Sequence, residues 1–334
     1  MSPIEDIKPL LETSRKVVIT MHQKPDADAM GASLALYLYL LKKGHQVTVI
    51  SPTNFPAFLK WMPGCDQVLN FENGEQKAVK ILSVAEILFC LDFNALNRTK
   101  NMAPYLEKLR CTKVLIDHHP LPENSFDFAV SDITASSSAQ LVYELIIKFG
   151  DESLIDIPTA ECLYAGSMTD TGSFRFASTT SRVHRMVANL MDIGLMHEPI
   201  HQAIYDNYLE NRLRFIGNAL LNRMELFYEY NTALIAIPQT DVRRYDLQTG
   251  DTEGVVNLPF SIQGIRFSTL IIDRDSEIKL SFRSKGNFDV NAFARKYFSG
   301  GGHQNAAGGR STDTLEKTVT RFQIALSENK NLLN

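Results

Sequence analysis

A histidine and two aspartates follow the first apolar run of the chain within a short loop. His22, Asp26 and Asp28 come directly after Lys16–Met21, a β-branched run that predicts a strand buried on both faces. Open α/β sheets place their functional sites at the carboxyl ends of such strands. Imidazole and carboxylate groups suit a hard or borderline divalent cation, although an aspartate-rich turn with a helix cap has the same composition. The position after a buried strand favours a metal site.

Two further apolar runs end in residues of the same chemical types. Asp92 ends one run, and Asp117, His118 and His119 follow another. Each group alone is also typical of a turn, but three such strand ends predict one shared site at an edge of the sheet. Because successive residues of an extended chain point in opposite directions, we expect one histidine to bind metal and the other to serve the chemistry. Asp170 precedes a glycine turn and is, by itself, typical of a helix C-terminus.

A glycine-rich segment near the end of the chain predicts an anion-binding loop. The segment contains three successive glycines and a histidine, namely Gly300, Gly301, Gly302 and His303. Bare backbone N–H groups before a helix form a cradle for phosphate, and a flexible loop is the alternative interpretation. Upstream, Arg283 and Ser284 lie at the end of a strand-like run. Arginine suits bidentate phosphate binding, although most arginines are surface residues.

The elements that must position these residues predict two domains of the α/β class. In the first half, strand-like runs alternate with helical segments, which predicts a parallel sheet with helices on both faces. After a mostly helical stretch, hairpin-like strands and two helices predict a smaller α/β domain with a mixed sheet. The expected limits are 1–190 for a metal-binding catalytic domain, 191–229 for a helical connector and 230–334 for a substrate-binding domain.

Composition bounds the class of protein. The chain has 334 residues, 44% of them hydrophobic and 22% charged, which excludes a disordered, collagenous or coiled-coil protein. The formal net charge of -4 argues against a surface that grips long nucleic acid. The four cysteines form no C-x-x-C pair, the first residues lack the pattern of a signal peptide, and the most apolar stretch is too short to span a bilayer. We therefore expect a cytoplasmic protein with no membrane partner.

The order of these motifs along the chain resembles the DHH/DHHA1 phosphoesterases, and the match covers nearly the whole sequence. The resemblance implies a DHH catalytic domain followed by a DHHA1 domain. Length and domain make-up are most similar to the NrnA-type enzymes. That similarity implies hydrolysis of very short RNA to mononucleotides and removal of the 3′-phosphate from 3′-phosphoadenosine 5′-phosphate (pAp). The partners implied are short RNA or DNA oligonucleotides and nucleotide phosphates, and a homodimer is plausible from the family.

The resemblance also implies a role for each residue. Two Mn²⁺ ions are expected, one held by His22 and Asp26 and the other by Asp28, His118 and Asp170, with Asp92 between them. His119 would contact the scissile phosphate or leaving group, and Asp117 would orient a histidine. Arg283, Ser284, the three glycines and His303 would bind the substrate's terminal phosphate or nucleotide. Mg²⁺ and Co²⁺ are the alternative ions, and the histidine ligands favour manganese or cobalt over magnesium.

Three alternatives stay open on the sequence. The metal site alone also permits an inorganic pyrophosphatase or exopolyphosphatase, since family II pyrophosphatases resemble the first domain. A RecJ-like single-strand exonuclease is a second alternative, although the chain shows no OB-fold segment of the kind RecJ carries. A metal-loaded nucleotide-binding regulator without turnover is the third. The complete ligand set and His119 argue against the regulator.

Overall fold

The computed structural model describes residues 2–207, 209–248 and 250–333, with side chains from residue 6 onward. The chain divides into two compact units, Met1–Asn207 and Tyr208–Asn334. The expected domain limits and the connector at 191–229 stay predictions. Among the described residues, no helix combines the length and the apolar character that crossing a bilayer requires.

The first unit is built on a parallel sheet of seven strands. These strands are β1 (Ser2–Pro3), β2 (Lys16–Met21), β3 (Gln46–Ser51), β4 (Leu69–Asn70), β5 (Ile87–Leu91), β6 (Thr112–Asp117) and β7 (Phe128–Ser131). Their order across the sheet is β1-β7-β6-β5-β2-β3-β4, and all neighbours run parallel. The chain therefore builds outward in both directions from the β2–β5 pair, and this reversal of strand order opens a crevice at the carboxyl ends of the two strands.

Helices cover both faces of this sheet, as predicted. They are α1 (Ala27–Lys42), α2 (Phe71–Ser83), α3 (Ala103–Lys108), α4 (Ser138–Phe149), α5 (Ile157–Asp170), α6 (Ser181–Asp192) and α7 (His197–Tyr205). Alternation along β2 explains the two layers: Val17 and Ile19 pack into the core that α1, α4 and α5 complete, whereas Val18 packs into the core that α2 and α3 complete. The parallel α/β class is confirmed.

The second unit contains a mixed sheet of six strands. The strands are β8 (Met224–Phe227), β9 (Thr232–Ile237), β10 (Phe267–Asp273), β11 (Ile278–Ser284), β12 (Gly301–Gly302) and β13 (Ala306–Ser311). Their order is β12-β13-β11-β10-β9-β8, with only the β9–β10 pair parallel. The helices are α8 (Glu210–Asn222), α9 (Gln239–Arg244), α10 (Val290–Tyr297), α11 (Leu315–Glu328) and α12 (Lys330–Leu333).

Short 3-10 helices lie between these elements, at Ile4–Leu11, Ala57–Leu59, Cys65–Gln67, Leu96–Met102, Glu152–Leu154, Tyr228–Tyr230 and Val255–Ser261.

In the second unit, an aromatic core on one face of the sheet joins Phe267 and Phe282 to Phe293 of α10 and Phe322 of α11. The smaller mixed α/β domain is therefore also confirmed.

Candidate metal centre

The register of three adjacent strands brings the predicted residues to one level. Met21 of β2 pairs with Leu91 of β5, and Leu91 pairs with Ile116 of β6. The residues that follow are His22, Asp92 and Asp117, so their side chains enter the crevice at the carboxyl ends of β2 and β5. This register accounts for a site assembled from segments far apart in sequence.

Asp26 begins helix α1 and also faces His22. Its Oδ1 accepts hydrogen bonds from the backbone N–H groups of Asp28 and Ala29, both at 3.0 Å, which caps the helix. Its Oδ2 lies 3.8 Å from His22 Nε2. One carboxylate oxygen is thus used to fix the loop, and the other points into the crevice.

Asp28 is fully buried at the N-terminus of a second helix. Its Oδ2 accepts from the backbone N–H of Ser138 at 2.6 Å, and its Oδ1 accepts from that of Ala139 at 2.9 Å. These donors belong to the first turn of α4, where the backbone N–H groups have no partner within the helix. Asp28 therefore joins α1 to α4 as well as facing the site.

Close helix packing at two glycines keeps Asp28 in this place. A Cβ on Gly31 of α1 would meet the carbonyl oxygen of Cys162 in α5 at 2.4 Å. A Cβ on Gly166 would lie 2.8 Å from the Cβ of Ala139 and 2.9 Å from Asp28 Oδ1. Any larger residue would push α5 away from the other two helices, so the glycines set the depth at which Asp28 is held.

Asp92 stands between two histidines. Its Oδ2 lies 3.4 Å from His22 Nε2, and its Oδ1 lies 3.4 Å from His118 Nε2. The backbone of Asp92 has a φ of 62°, the left-handed region that an aspartate rarely occupies. Strained backbone of this kind persists where the surrounding structure enforces it and is concentrated at functional sites.

His118 Nε2 is the point on which three carboxylates converge. Besides Asp92, it lies 3.4 Å from Asp170 Oδ2 and 3.9 Å from Asp28 Oδ2. One ring nitrogen carries at most one proton and cannot satisfy three carboxylates at once. The close approach of three carboxylates to one imidazole nitrogen is therefore typical of a cation site and not of an ordinary ion pair.

His22 has the tautomer that a metal ligand needs. Its Nδ1 lies 2.8 Å from the carbonyl oxygen of Gln23, which accepts only from a protonated nitrogen. The proton is thereby assigned to Nδ1, and Nε2, which faces Asp26 and Asp92, is the nitrogen that would bind a metal. Metal-bound histidines are oriented in this way by a bond to their second nitrogen.

Asp117 and His119 form a separate pair beside Asp92. Asp117 Oδ1 lies 2.7 Å from His119 Nδ1, and that ring nitrogen is 3.7 Å from Asp92 Oδ1. The rings of His118 and His119 stand edge to face with centroids 4.9 Å apart. Both rings therefore reach Asp92, and the expectation that they point in opposite directions is wrong. The reason is that β6 ends at Asp117, so strand alternation does not extend to the two histidines.

The cluster contains more carboxylates than histidines, and the resulting excess of negative charge shifts the pKa values of its members. Burial acts to lower the pKa of His118, but Asp92 and Asp170 raise this pKa well above its usual value. The pKa of His22 is raised in the same way, because Asp26 and Asp92 outweigh its burial. Desolvation, with the negative charges of Asp26 and Asp92, raises the pKa of Asp170 to about 8 against the attraction of His118.

The pKa values of two buried carboxylates, Asp28 and Asp92, are shifted in opposite directions. Burial and the charges of Asp92 and Asp170 raise the pKa of Asp28 well above its usual value. Burial also acts to raise the pKa of Asp92, but its hydrogen bonds with His118 and His22 hold this pKa well below the usual range. Protons thus occupy the site near neutral pH where divalent cations would otherwise neutralise the carboxylates.

The residues present fit divalent cations, and Asp92 belongs to more than one group that could hold an ion. Ligand atoms of His22, Asp26 and Asp92 lie within 4.8 Å of one another, and so do those of Asp28, Asp92 and His118. Mixed oxygen and imidazole ligands suit Mn²⁺, Co²⁺ or Zn²⁺ better than Mg²⁺. In addition, Asp117 Oδ2 is buried with no hydrogen-bond partner among the described residues, a polar atom that a cation or water would satisfy.

The glycine-rich segment of the second unit does not precede a helix. Gly301–Gly302 forms β12, which pairs with β13 to make a hairpin whose turn begins at His303. The N–H of Gly302 donates to Asn291 Oδ1 at 3.0 Å, and that of Gly300 donates to the carbonyl of Ala294. The predicted cradle of unpaired N–H groups is therefore wrong, because sheet pairing and α10 already use these donors.

Close backbone approach explains why glycine occupies positions 300 and 302. A Cβ on Gly300 would lie 2.0 Å from the carbonyl oxygen of Gly308, and one on Gly302 would lie 2.4 Å from that of Ala306. The hairpin thus requires glycine for close backbone approach. Of the polar residues predicted here, Ser284 is buried and its hydroxyl donates to the carbonyl of Phe288, while Arg283 is next to the end of β11.

Sequence reasoning missed Ser138 and the two packing glycines. Ser138 contributes its N–H to Asp28 and its hydroxyl to Asp92, at 3.0 Å from Oδ1. The run Ser136-Ser137-Ser138 before a helical segment was the available signal, since serine is typical of a helix N-terminus. Nothing in one sequence indicates that a cap of α4 would lie against Asp28.

Each of the two units matches a known family of domains. Residues 16–167 match the family described as "DHH family, N-terminal domain", and residues 233–329 match the "DHHA1 domain". The chain belongs to the DHH/DHHA1 family, and the resemblance predicted from its motifs is confirmed. Membership of this family identifies the protein as a phosphoesterase. The histidine and aspartate clusters of the first unit are groups able to hold a divalent metal.

Curated relatives and a solved structure extend over nearly the whole chain. The bifunctional oligoribonuclease and PAP phosphatase NrnA of Bacillus subtilis is 25% identical over 94% of this chain and 96% of its own length. The protein of the same description from Thermus thermophilus is 27% identical over 87% of this chain and 83% of its own. The crystal structure of an exopolyphosphatase-related protein from Bacteroides fragilis is 39% identical, with a TM-score of 0.95, and covers 99% of this chain and 97% of its own.

Proposed function

We propose that this protein is a two-metal phosphoesterase that hydrolyses short oligonucleotides to mononucleotides and removes the 3′-phosphate of pAp. The observation that carries the proposal is the position of Asp92, whose two oxygens face the histidines of two separate ligand groups. The near full-length similarity to relatives described as bifunctional oligoribonuclease and PAP phosphatase supports the substrate class.

The proposed ligands divide into two sets that share one residue. His22 and Asp26 belong to the first, Asp28, His118 and Asp170 to the second, and Asp92 to both. When bound, the two ions would polarise the phosphoryl group and lower the pKa of the attacking water. We propose Mn²⁺ as the ion, with Co²⁺ as a functional substitute, because the mainly carboxylate ligands suit Mn²⁺ and the two imidazoles disfavour Mg²⁺.

His119 is the proposed general acid. Its bond with Asp117 fixes the ring through Nδ1 and directs Nε2 away from that carboxylate. The protonated ring would give its Nε2 proton to the departing ribose oxygen, and Asp117 would stabilise the ring while it is charged. Arg283 and His303 of the second unit are proposed to bind phosphate of the substrate.

A second candidate substrate is an inorganic phosphate polymer. The solved relative that is 39% identical is described as exopolyphosphatase-related, and the proposed metal set does not by itself distinguish a phosphodiester from a phosphoanhydride. The test is a substrate panel with the metal-loaded protein: dinucleotides, RNA of three to five and of about 20 nucleotides, pAp, pyrophosphate and polyphosphate, each with Mn²⁺ and with Mg²⁺.

The expected result is rapid release of nucleoside monophosphate from two- to five-nucleotide RNA and of phosphate from pAp, with slow cleavage of the long RNA. The Asp92→Ala variant serves as the control for a contaminating nuclease. If polyphosphate or pyrophosphate turned over faster than every nucleotide substrate, the second candidate would replace the first. Preference for the long RNA would instead indicate a RecJ-like exonuclease.

A further inference from the structure

Ser138 contacts the carboxylate that both proposed ligand sets share and a carboxylate that belongs to the second set alone. It is the first residue of α4 and is fully buried. Its backbone N–H donates to Asp28 Oδ2 at 2.6 Å, and its hydroxyl donates to Asp92 Oδ1 at 3.0 Å. A single residue thus fixes one oxygen of the shared carboxylate relative to one oxygen of the carboxylate unique to the second set.

We propose that Ser138 is the positioning residue that sets the spacing of the two ions. This inference rests on the proposed two-metal function. Asp92 Oδ1 faces His118 on one side, and the Ser138 hydroxyl occupies one of the two lone-pair directions of that oxygen. The remaining direction is then the one available to an ion, so the hydroxyl fixes the rotation of the carboxylate about its Cβ–Cγ bond.

The packing around Ser138 holds it in place. Asp28 can receive the Ser138 N–H only while α4 lies against α1, and that contact depends on the absence of a side chain at Gly166. The helix packing therefore fixes the backbone from which the Ser138 hydroxyl reaches Asp92. Outer groups of this kind alter metal affinity without binding the metal themselves.

Ser137 provides a matched control on the neighbouring residue. It is equally buried, and its Oγ accepts from the Gln140 N–H at 3.0 Å and lies 2.9 Å from Ser167 Oγ. None of these partners is a proposed ligand. Ser137→Ala removes a helix cap and is expected to lower the thermal stability, whereas Ser138→Ala removes a contact to the site.

The test measures metal binding and spectroscopy on the full chain. Metal-free wild type, Ser138→Ala, Ser137→Ala and Ser138→Thr are titrated with Mn²⁺ by calorimetry, and the loaded samples are examined by electron paramagnetic resonance. Two Mn²⁺ ions that share a carboxylate give an exchange-coupled signal, which depends on their separation. Thermal unfolding of each metal-free variant reports whether it is folded.

The expected result separates the two serines. Ser138→Ala should lose or alter the coupled signal and bind the weaker ion on the order of 10- to 100-fold less tightly. Ser137→Ala should keep the wild-type signal despite a lower melting temperature, and Ser138→Thr, which retains the hydroxyl, should keep it too. A Ser138→Ala spectrum and affinity like wild type would overturn the inference and leave the two-metal site intact, as would a folded Ser138→Thr that behaves like the alanine variant. A wild type that binds no coupled pair would overturn both proposals.

Discussion

Asp117 Oδ1 and His119 Nδ1 lie 2.7 Å apart, and this contact fixes a histidine next to Asp92, the carboxylate that the two proposed ligand sets share. Asp117 is fully buried, so the pair is shielded from solvent on the carboxylate side. We predict that Asp117 orients the His119 ring and that His119 is not a metal ligand.

Asp117→Asn tests this role. The amide can offer N–H to Nδ1 and so favours the wrong tautomer, and it provides no charge to stabilise a protonated ring. We expect kcat to fall on the order of 10²- to 10⁴-fold with a smaller change in KM, while two Mn²⁺ ions still bind. Steady-state kinetics on a dinucleotide and calorimetry measure the two quantities. Loss of metal from the variant would instead make Asp117 a ligand.

Asp92→Ala tests the shared carboxylate. Because both histidines face this side chain, its removal should weaken the binding of both ions. We expect kcat/KM to fall at least on the order of 10³-fold, which corresponds to about 4 kcal/mol in the activation barrier. Asp26→Ala is the comparison, since it should weaken chiefly the first ion. Metal content after dialysis and dinucleotide hydrolysis are the measurements, and full activity of Asp92→Ala would remove the basis of the two-metal assignment.

The metal-free protein should lose stability as the pH rises from about 5 to 8. The folded-state pKa of Asp170 is about 8, against the ordinary 3.8, so its contribution is complete below the ordinary pKa and is lost as the pH rises through the folded one. Asp28, His22 and His118 also have raised pKa values and act in the same direction. The low pKa of Asp92 gives a constant contribution in this window.

Melting temperatures at several pH values, with chelator present, measure this slope. Asp170→Asn should reduce this slope, because the amide does not titrate, while Asp28, His22 and His118 maintain the remainder. Excess Mn²⁺ should reverse it, since ions compete with protons for the same ligands and bind better as the pH rises. A metal-free protein whose stability is constant from pH 5 to 8 would contradict the electrostatic description of the cluster.

Gly166→Ala should destabilise the first unit and weaken metal binding together. The added Cβ would come within 3 Å of both Ala139 and Asp28, and overpacking of this kind costs about 1–3 kcal/mol. Gly217→Ala is the control. It adds the same methyl at an exposed position of helix α8, where nothing lies within 4 Å, and should be neutral or stabilise by up to about 1 kcal/mol. Urea unfolding and Mn²⁺ titration give both numbers.

His303→Ala tests the predicted substrate role of the hairpin turn. Loss of a hydrogen bond to phosphate should raise KM about 10- to 100-fold with metal content unchanged. Gln304→Ala, at the adjacent exposed residue, should leave KM near the wild-type value. A fall in bound metal, or an unchanged KM, would show that His303 has been given the wrong role.

Much of the first unit could be predicted because the sequence shows where its buried strands end. Buried apolar runs identify β2, β5 and β6, and parallel pairing places His22, Asp92 and Asp117 at one edge without further information. Asp170 could be recognised only through the family resemblance, because its own segment reads as a helix end. Its distance to His118 depends on how α5 docks.

What escaped prediction depends on contacts distant in sequence. Ser138 gains its role because α4 packs beside α1, and Gly166 permits that packing from a third helix. The glycines at 300–302 suggested an anion cradle because glycine permits both open loops and tight strand crossings. Only the pairing partner, β13, distinguishes them.

The proposed ligands are also spread widely along the chain, from His22 to Asp170, and this spread has a consequence for folding. An unfolded chain presents only two short local chelating segments, His22–Asp28 and Asp117–His119. Tight binding of a metal pair must therefore wait until the sheet register and the helix layer bring them together. The ions would then add their binding free energy only to the finished unit. Metal occupancy would thus act as a checkpoint that distinguishes fully assembled molecules from compact, incompletely folded ones.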